Sequence, residues 1–527
     1  MDSQRQALLD WVEGQSASLS DWNQTIFDFG ETAWREYRSA AWYVERLRAE
    51  GFTVEEGSGG MPTAFSAEWR NGDGPTIGGY AEYDGIPGNC QAADVVQRPR
   101  DGLSPYAGGH TDPHSALGIG ALGGFLAAKA IMEAQGIGGR LKLFGEPAEK
   151  VRGSKPIHAA CGYYDDLDAA ISFHPFYMLP LCNTVRWDTH CGVGYGLIYS
   201  FTCASPETWL GASTGSPIPA AHADARAPGA NDAVVQMYHS GKALKEHLLS
   251  NGVGWSMNEV ILNAGQATAD NIPAQMAQIM YFARVPTIEM AERIVAGLDH
   301  FADAAARLAH CNWQRHWVAK SRPGLPNHTL ARATYRNLEV VGPPRFDGEA
   351  IRLAQEIQKA VGQEPTAAPF LEEIERLVEP EVAERQLREM LPPWQKSFTS
   401  DDYTEFCWHA PTVRLYIGRP ALKSQEGTPP LPAWAMNALG GLAPCIDPMI
   451  RCAAKTIGLT ILDLLTKPGL LDAAKAEFEE RTGGGRGGDN WIPPLCDYEP
   501  PIHFRWPEYI TTPRGEREWV IPAMAEV

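Results

Sequence analysis

His110, Asp112 and His114 fall within five consecutive positions of the stretch GGHTDPHSALG, residues 108–118, directly before a long run of small apolar residues. Neutral imidazole nitrogen and carboxylate oxygen suit zinc or manganese, and a carboxylate can bridge two cations. The same residues also suit the start of a helix, with Asp112 as N-cap and Pro113 at the first helical position. A cap requires neither imidazole. H-x-D-x-H is nevertheless a short pattern, so the metal reading and the helix-start reading both stay open on this segment.

Other candidates lie farther along the chain. GEPAEK at 145–150 sets Glu146 and Glu149 just after an apolar run, and DAAISFHP at 168–175 brings His174 to the end of another. Each glutamate can be a helix N-terminal acid favoured by the local dipole, and an isolated His174 can be a hydrogen-bonded structural residue. Beside a metal, an unligated carboxylate is instead a natural general base for water. Lys150 is peculiar there: protonated it cannot ligate, and a neighbouring cation repels it unless a carboxylate pairs with it.

The elements that must position these residues read as alternating strands and helices. TIGGYAEYDG at 76–85, a helix from Pro113 to about Ala134, RLKLFGEP at 140–147, a short helix near Ser154–Cys161 and DAAISFHP at 168–175 follow one another. That order argues for parallel crossover connections and a sheet covered by helices on both faces. Glu82 and Asp84 end the first strand, Glu146 and Glu149 follow the second, and His174 ends the third. Ligands collect beyond the carboxyl ends of such strands, so distant residues can converge.

From about Trp187 the character changes to a strand-helix-strand-strand-helix order with a closing strand near Asn312–Val318, a small α+β, ferredoxin-like unit inserted in the first. The expected division is 1–186 and 321–480 for a catalytic domain, 187–320 for the insertion and 481–527 for an extended tail. Residues 1–52 read as helical, a charged helix is expected around Phe370–Met390, and a last apolar one from Pro448 to Leu465.

The 527 residues, 44% of them hydrophobic, are enough for two or more cored domains, and the formal charge of −19 argues against non-specific nucleic-acid binding and against an anionic membrane surface. No uninterrupted apolar span of about 18 residues is seen, so a membrane-embedded chain is not expected. Ten scattered cysteines without a C-x-x-C pair, and an N-terminus without a basic-then-apolar segment, give a reduced, cytoplasmic expectation.

AEYDGIPG at 81–88, GHTDPH at 109–114, PAEK at 147–150, SFHP at 172–175 and NIPAQM at 271–276 with Arg284 together resemble the aminoacylase and aminobenzoyl-glutamate hydrolase branch of the M20 metallopeptidase-like amidohydrolases, over most of residues 10–475. The resemblance implies a zinc-aminopeptidase-like catalytic domain and an inserted lid that often makes a dimer interface. It implies Asp112 as a bridging metal ligand, His114 and His174 as terminal ligands, Glu149 as general base, and Asp84 as a carboxylate that orients His110 near the cluster. By the same resemblance His222 polarises the scissile carbonyl from the lid, and Asn271 and Arg284 contact substrate.

Two positions depart from the family. Glu149 is followed by Lys150 where relatives carry a second glutamate, and Trp434, in LPAWAMNALGG at 431–441, stands about where they carry a histidine. These departures point to one zinc or manganese ion per chain, two not being excluded, held by Asp112, His114 and His174 with help from Glu146 and His110. Lys150 and Trp434 then fall to the substrate side, Lys150 supplying positive charge in the vacated position.

The reaction this implies is hydrolysis of an amide or related C–N bond in a small aromatic or N-acyl amino acid substrate, by a metal-activated water with Glu149 as base, in a homodimer or higher homo-oligomer. An aryl amide or an aromatic amine stays open, and Trp187, Trp209, Trp394, Trp408 and Trp434 suggest room for an apolar group. The rivals are a metal-dependent lyase or isomerase and a catalytically silent binding subunit.

Overall fold

The computed structural model describes residues 3–203, 227–248, 253–265 and 273–504, and the backbone of 508–511 and 517–520. Trp209, His222 and Asn271 lie outside the described residues.

The larger sheet contains β1 (Thr53–Glu56), β2 (Phe65–Asn71), β3 (Thr76–Ala81), β4 (Gly139–Gly145), β5 (Ala169–Phe176), β6 (Thr184–Val185) and, from much later in the chain, β11 (Thr412–Gly418). Their spatial order is β1-β2-β4-β3-β5-β11-β6. β4, β3, β5 and β11 run parallel, while β1, β2 and β6 add antiparallel edges. β3 and β11 are buried along their whole length, as expected for central strands covered on both faces, and β11 buries Arg414 with its apolar residues. The expected α/β class with a mostly parallel sheet is the one found.

The helix His114–Gln135 is buried nearly all round and packs between the sheet and the helix Ala443–Thr466. Its glycines permit that approach. A Cβ on Gly118 would lie 2.3 Å from the Tyr43 hydroxyl and 2.8 Å from the Glu82 carbonyl oxygen, and one on Gly124 would lie 2.7 Å from Ile457. This helix is long and apolar enough to cross a membrane by length and composition, but 89% of its apolar window is buried inside the protein. It is a core helix.

The helix-start reading of Asp112 is corrected here. Pro113 is the N-cap and makes no side-chain cap, and the His114 N–H reaches the Asp112 carbonyl at 2.6 Å, so the Asp112 carboxylate is free of the helix end. The N-terminal segment forms helices Ser3–Gly14, Ser16–Phe29 and Tyr37–Ala49. The charged helix is shorter than expected, Pro380–Met390, and the last apolar helix begins at Ala443 and continues through Pro448.

The second sheet is formed by β7 (Val193–Thr202), β8 (Ser256–Asn263), β9 (Met276–Val285) and β10 (Asn312–Ser321), in the order β10-β7-β9-β8 with every neighbouring pair antiparallel. Helices Ala230–Leu248 and Ile288–Leu308 cover one face, closing a core that includes Leu197, Tyr199, Ile279 and Tyr281. This is the split β-α-β order, with the two crossover helices on one side. Cys203 and Cys311, beside the paired ends Thr202 and Asn312, form a disulfide, which departs from the fully reduced reading of the cysteines.

Candidate active site

The carboxyl ends of the parallel strands deliver the candidate residues to one place. Glu82 and Asp84 follow β3, Glu149 follows β4, His174 lies near the end of β5, and Arg419 follows β11. Asp112 and His114 enter at the start of the long core helix, which packs on β3. Parallel strands put their carboxyl ends on one edge of the sheet, which is what lets residues from such separate segments meet.

His114 is fully buried, and Asp84 fixes its ring: Nδ1 lies 2.7 Å from Asp84 Oδ1. The other Asp84 oxygen accepts the backbone N–H of Lys150 at 2.8 Å. On the far side of the ring, His114 Nε2 is 2.8 Å from Lys150 Nζ, 3.3 Å from Glu82 Oε2 and 3.5 Å from Glu149 Oε2. His174 Nδ1 is 2.7 Å from its neighbour's carbonyl, on Pro175, so that Nε2 faces Asp112 Oδ2 at 3.4 Å. Lys150 Nζ donates to Asp112 Oδ2 at 3.2 Å, and Arg419 donates to Asp112 Oδ1 at 3.3 Å.

Charge compensation is dense. Burial would raise the Asp112 carboxyl, but Lys150 and His174 hold it well below the usual carboxylate range. Burial likewise opposes ionisation of Glu149, and the Arg152 guanidinium, followed by Lys150, reverses this and lowers it. Arg152 pairs with Glu149 Oε1, so Oε2 is the oxygen turned to His114. For His114, burial and Lys150 oppose protonation while Glu82 and Asp84 favour it, with a net rise. The 2.8 Å contact with the Lys150 ammonium is attractive only when Nε2 is unprotonated, and we take that contact as fixing a neutral ring with its hydrogen on Nδ1.

Several of these groups could hold a cation. Ligand atoms of Glu82, His114 and His174 lie within 4.8 Å of one another, as do those of Asp84, His114 and Glu149. Both Nδ1 atoms are already occupied, which leaves the Nε2 atoms of His174 and His114 at 3.4 Å and 3.9 Å from Asp112 Oδ2, and Glu82 Oε2 is buried without a hydrogen-bond partner 3.3 Å from His114 Nε2. Mixed nitrogen and oxygen donors of this kind fit a divalent metal.

The site opens into a cavity of about 730 Å³ between the two sheets. Ile86, Phe176, Leu181 and Phe398 supply apolar wall from the larger unit, and Leu262 on β8 and Met280 on β9 supply it from the smaller. Arg284, on β9, reaches the same cavity, where burial and then the nearby Arg152 push its guanidinium down to about 10. Its side chain stacks over the Phe282 ring at 4.6 Å.

Not every expected residue is there. Glu146 turns away from the cluster and binds His158 at 2.7 Å and the Tyr164 hydroxyl at 2.6 Å, because it and Glu149 leave β4 in different directions. His110 precedes the helix, and its Nε2 goes to the Ile26 carbonyl at 3.1 Å; burial pushes it down to about 3. Asp84 therefore orients His114 and not His110. Trp434 packs on a separate apolar cluster with Ala435 and Leu439 and does not line the cavity. Neither do Trp187, Trp394 or Trp408, the aromatic wall being Phe176, Phe398 and Tyr416.

Sequence reasoning passed over Glu82 as a metal-side oxygen, although its place at a strand end was legible, and missed the buried Lys155 with Asp402. Lys155 Nζ bridges Glu82 at 2.7 Å and Asp402 at 2.9 Å. Arg152, Asp401 and Arg414 were also unforeseen; Arg414 pairs with Asp401 and binds Tyr80 and Ser172.

No family model matches the chain. It is 26% identical over 489 residues to one of the subunits of the p-aminobenzoyl-glutamate hydrolase of Escherichia coli K12, covering 90% of this chain and 94% of that protein. Another subunit of the same hydrolase is 28% identical over 214 residues, 32% of this chain and 48% of that one. Among solved structures, the aminobenzoyl-glutamate utilization protein of Klebsiella pneumoniae superposes with a TM-score of 0.51 at 14% identity, covering 85% of this chain and 98% of that one.

Proposed function

The chain belongs to the M20 amidohydrolases, on the aminobenzoyl-glutamate branch, and from that membership we propose that it hydrolyses the amide of a small N-acyl amino acid with an aromatic or otherwise apolar acyl group. The observation that carries this reading is the meeting, in the wall of one apolar cavity, of His174, Asp112, the Glu149 carboxylate and the Arg284 cation, with His114 Nε2 buried beside Glu149 and Lys150. A zinc or manganese ion held by His114, His174 and Asp112 would polarise the carbonyl and acidify a water.

In this proposal Glu149 accepts the proton of the attacking water through Oε2, Oε1 being held by Arg152, and then passes it to the leaving nitrogen. Arg284 receives the substrate carboxylate, since it is a half-buried cation with an aromatic neighbour at the cavity wall. The apolar wall takes the acyl group and excludes bulk water. His222 and Asn271 keep their assigned roles in carbonyl polarisation and substrate contact on sequence resemblance alone.

We further read residues 187–320 as the lid inserted between 1–186 and 321–480, with 481–527 as a surface tail. Self-association is assigned to the edge strand β8, where Val260 and Ile261 are exposed. Native mass measurement tests it.

A catalytically silent subunit is the second reading, favoured by the contact of Lys150 with His114 Nε2 and by the relative's being one part of a multi-chain hydrolase. One experiment separates the two. Purified, manganese-loaded chain is assayed on a panel of N-aminobenzoyl and N-acyl amino acids in oxygen-18 water, beside Glu149→Gln. Label in the released carboxylate, with turnover reduced about 10²–10⁴-fold in the variant, supports hydrolysis with Glu149 as base. Product without label points to a lyase, no turnover to the silent subunit, and an unimpaired variant removes Glu149 from its role.

A further inference from the structure

Both oxygens of Asp112 are already on cations. Oδ1 accepts from Arg419 at 3.3 Å and Oδ2 from Lys150 at 3.2 Å. Each oxygen keeps a further lone pair, but two metal ions bridged by this carboxylate would each lie beside a fixed side-chain cation.

Lys150 is held in this position from both ends. Its backbone N–H is bound to Asp84 Oδ2 at 2.8 Å, Asp84 Oδ1 lies 2.7 Å from His114 Nδ1, and His114 Nε2 lies 2.8 Å from Lys150 Nζ. The three contacts close a ring through the side chains of Asp84, His114 and Lys150 and the Lys150 backbone amide. With Nδ1–H committed to Asp84, the imidazole presents a lone pair at Nε2, the arrangement in which histidine meets a cation. The cation there is the ammonium, which has three donors and finds Asp112, His114 and, at 3.7 Å, Glu149 Oε2 around it.

We infer that the Lys150 ammonium is a tethered cation of this site, neutralising Asp112 and facing His114 Nε2 in competition with metal, so that the chain holds no more than one divalent ion. Any ion that takes the His114, His174 and Asp112 atoms must displace Nζ from Nε2 and then lie beside its positive charge. The inference rests on the hydrolase reading only for the choice of pocket. Its readout is metal binding, so it can stand or fall whatever the turnover assay gives.

The full-length chain is saturated with manganese, desalted and counted by mass spectrometry of the metal, and manganese alone is titrated calorimetrically into wild type, Lys150→Met and Lys150→Arg, with circular dichroism confirming the folded state. The expected results are at most one ion per wild-type chain, binding tighter by about tenfold or more in Lys150→Met, and no comparable gain in Lys150→Arg, which keeps the charge. Two tightly held ions in the wild type overturn the inference, and that measurement needs no variant. So does a Lys150→Met affinity equal to or weaker than wild type, or an equal gain in Lys150→Arg.

Discussion

Asp84 uses both carboxylate oxygens inside the site, one beside the His114 ring and one on the Lys150 backbone. Asp84→Asn keeps the shape but has only one acceptor oxygen, so one of two buried donors loses its partner. We expect about 1–3 kcal/mol of lost stability in thermal melts, and metal affinity weakened about 10–100-fold by calorimetry because the His114 tautomer is no longer held. Unchanged manganese affinity would show that the ring is oriented by packing alone. Arg284→Ala makes a separate prediction: a charged hydrogen bond of about 1.5–3 kcal/mol lost from substrate binding raises KM about 10–100-fold for a carboxylate-bearing substrate, with kcat much less changed. A fall confined to kcat would move Arg284 from binding to the reaction step. At this scale the sequence showed which residue types were present and less of where they pointed. By spacing alone His110 and His114 were equivalent beside Asp112, and only the resemblance set them apart; in the structure only His114 lies in the helix that packs on β3, and His110 is drawn to the Ile26 carbonyl. The exit direction of the chain after β4 separates Glu146 from Glu149, and no local pattern records it.

The strand ends and the long helix carry the site because they approach so closely. Gly118 lies beneath Glu82, and a Cβ there would be 2.8 Å from the Glu82 carbonyl oxygen and 2.3 Å from the Tyr43 hydroxyl. Gly118→Ala should therefore push the carboxyl end of β3 away from the helix, costing about 1–3 kcal/mol as overpacking and lowering activity, through the displaced Glu82 and Asp84, by more than the folded fraction accounts for. A variant with full activity at a lowered melting temperature would separate the helix packing from the site. β3 and β5 were legible as apolar runs and β4 through Leu141, Leu143 and Phe144, although Arg140 and Lys142 alternate with them, and the long core helix because it is too long for a strand. β1 and β2 were not. Their connection runs through Gly57, Gly59 and Gly60, all at positive φ, and β1 is an exposed polar edge with no apolar alternation to announce it. The charged helix was read as starting near Phe370, whereas it starts at Pro380, a residue that suits the first helical turn and not the interior.

Across the whole molecule, ionisable groups far from the site are buried in states that cost stability as acidity rises. His409 lies between Asp165, 2.9 Å from Nδ1, and Arg322, 3.1 Å from Nε2. Burial, then Arg322, pushes it down to about 4. His190 is lowered as well, by burial and then by Arg186. In the unfolded chain each imidazole takes a proton near pH 6.5. The unfolded state therefore binds more protons than the folded one below that value, so the stabilisation is present above it and is lost as pH falls toward the folded pKa. Glu36 and Asp402, raised chiefly by burial, act in the opposite sense, so the net slope of the wild type does not isolate one histidine. The difference between wild type and His409→Gln does. Gln can hydrogen-bond in this place but carries no titrating group. In urea unfolding, the stability advantage of wild type over the variant should shrink by roughly 2 kcal/mol between about pH 7.5 and pH 5, since the folded chain keeps His409 neutral over a range in which the unfolded chain protonates it. A difference that stays constant with pH would mean that His409 titrates alike in both states, and that Asp165 offsets its burial.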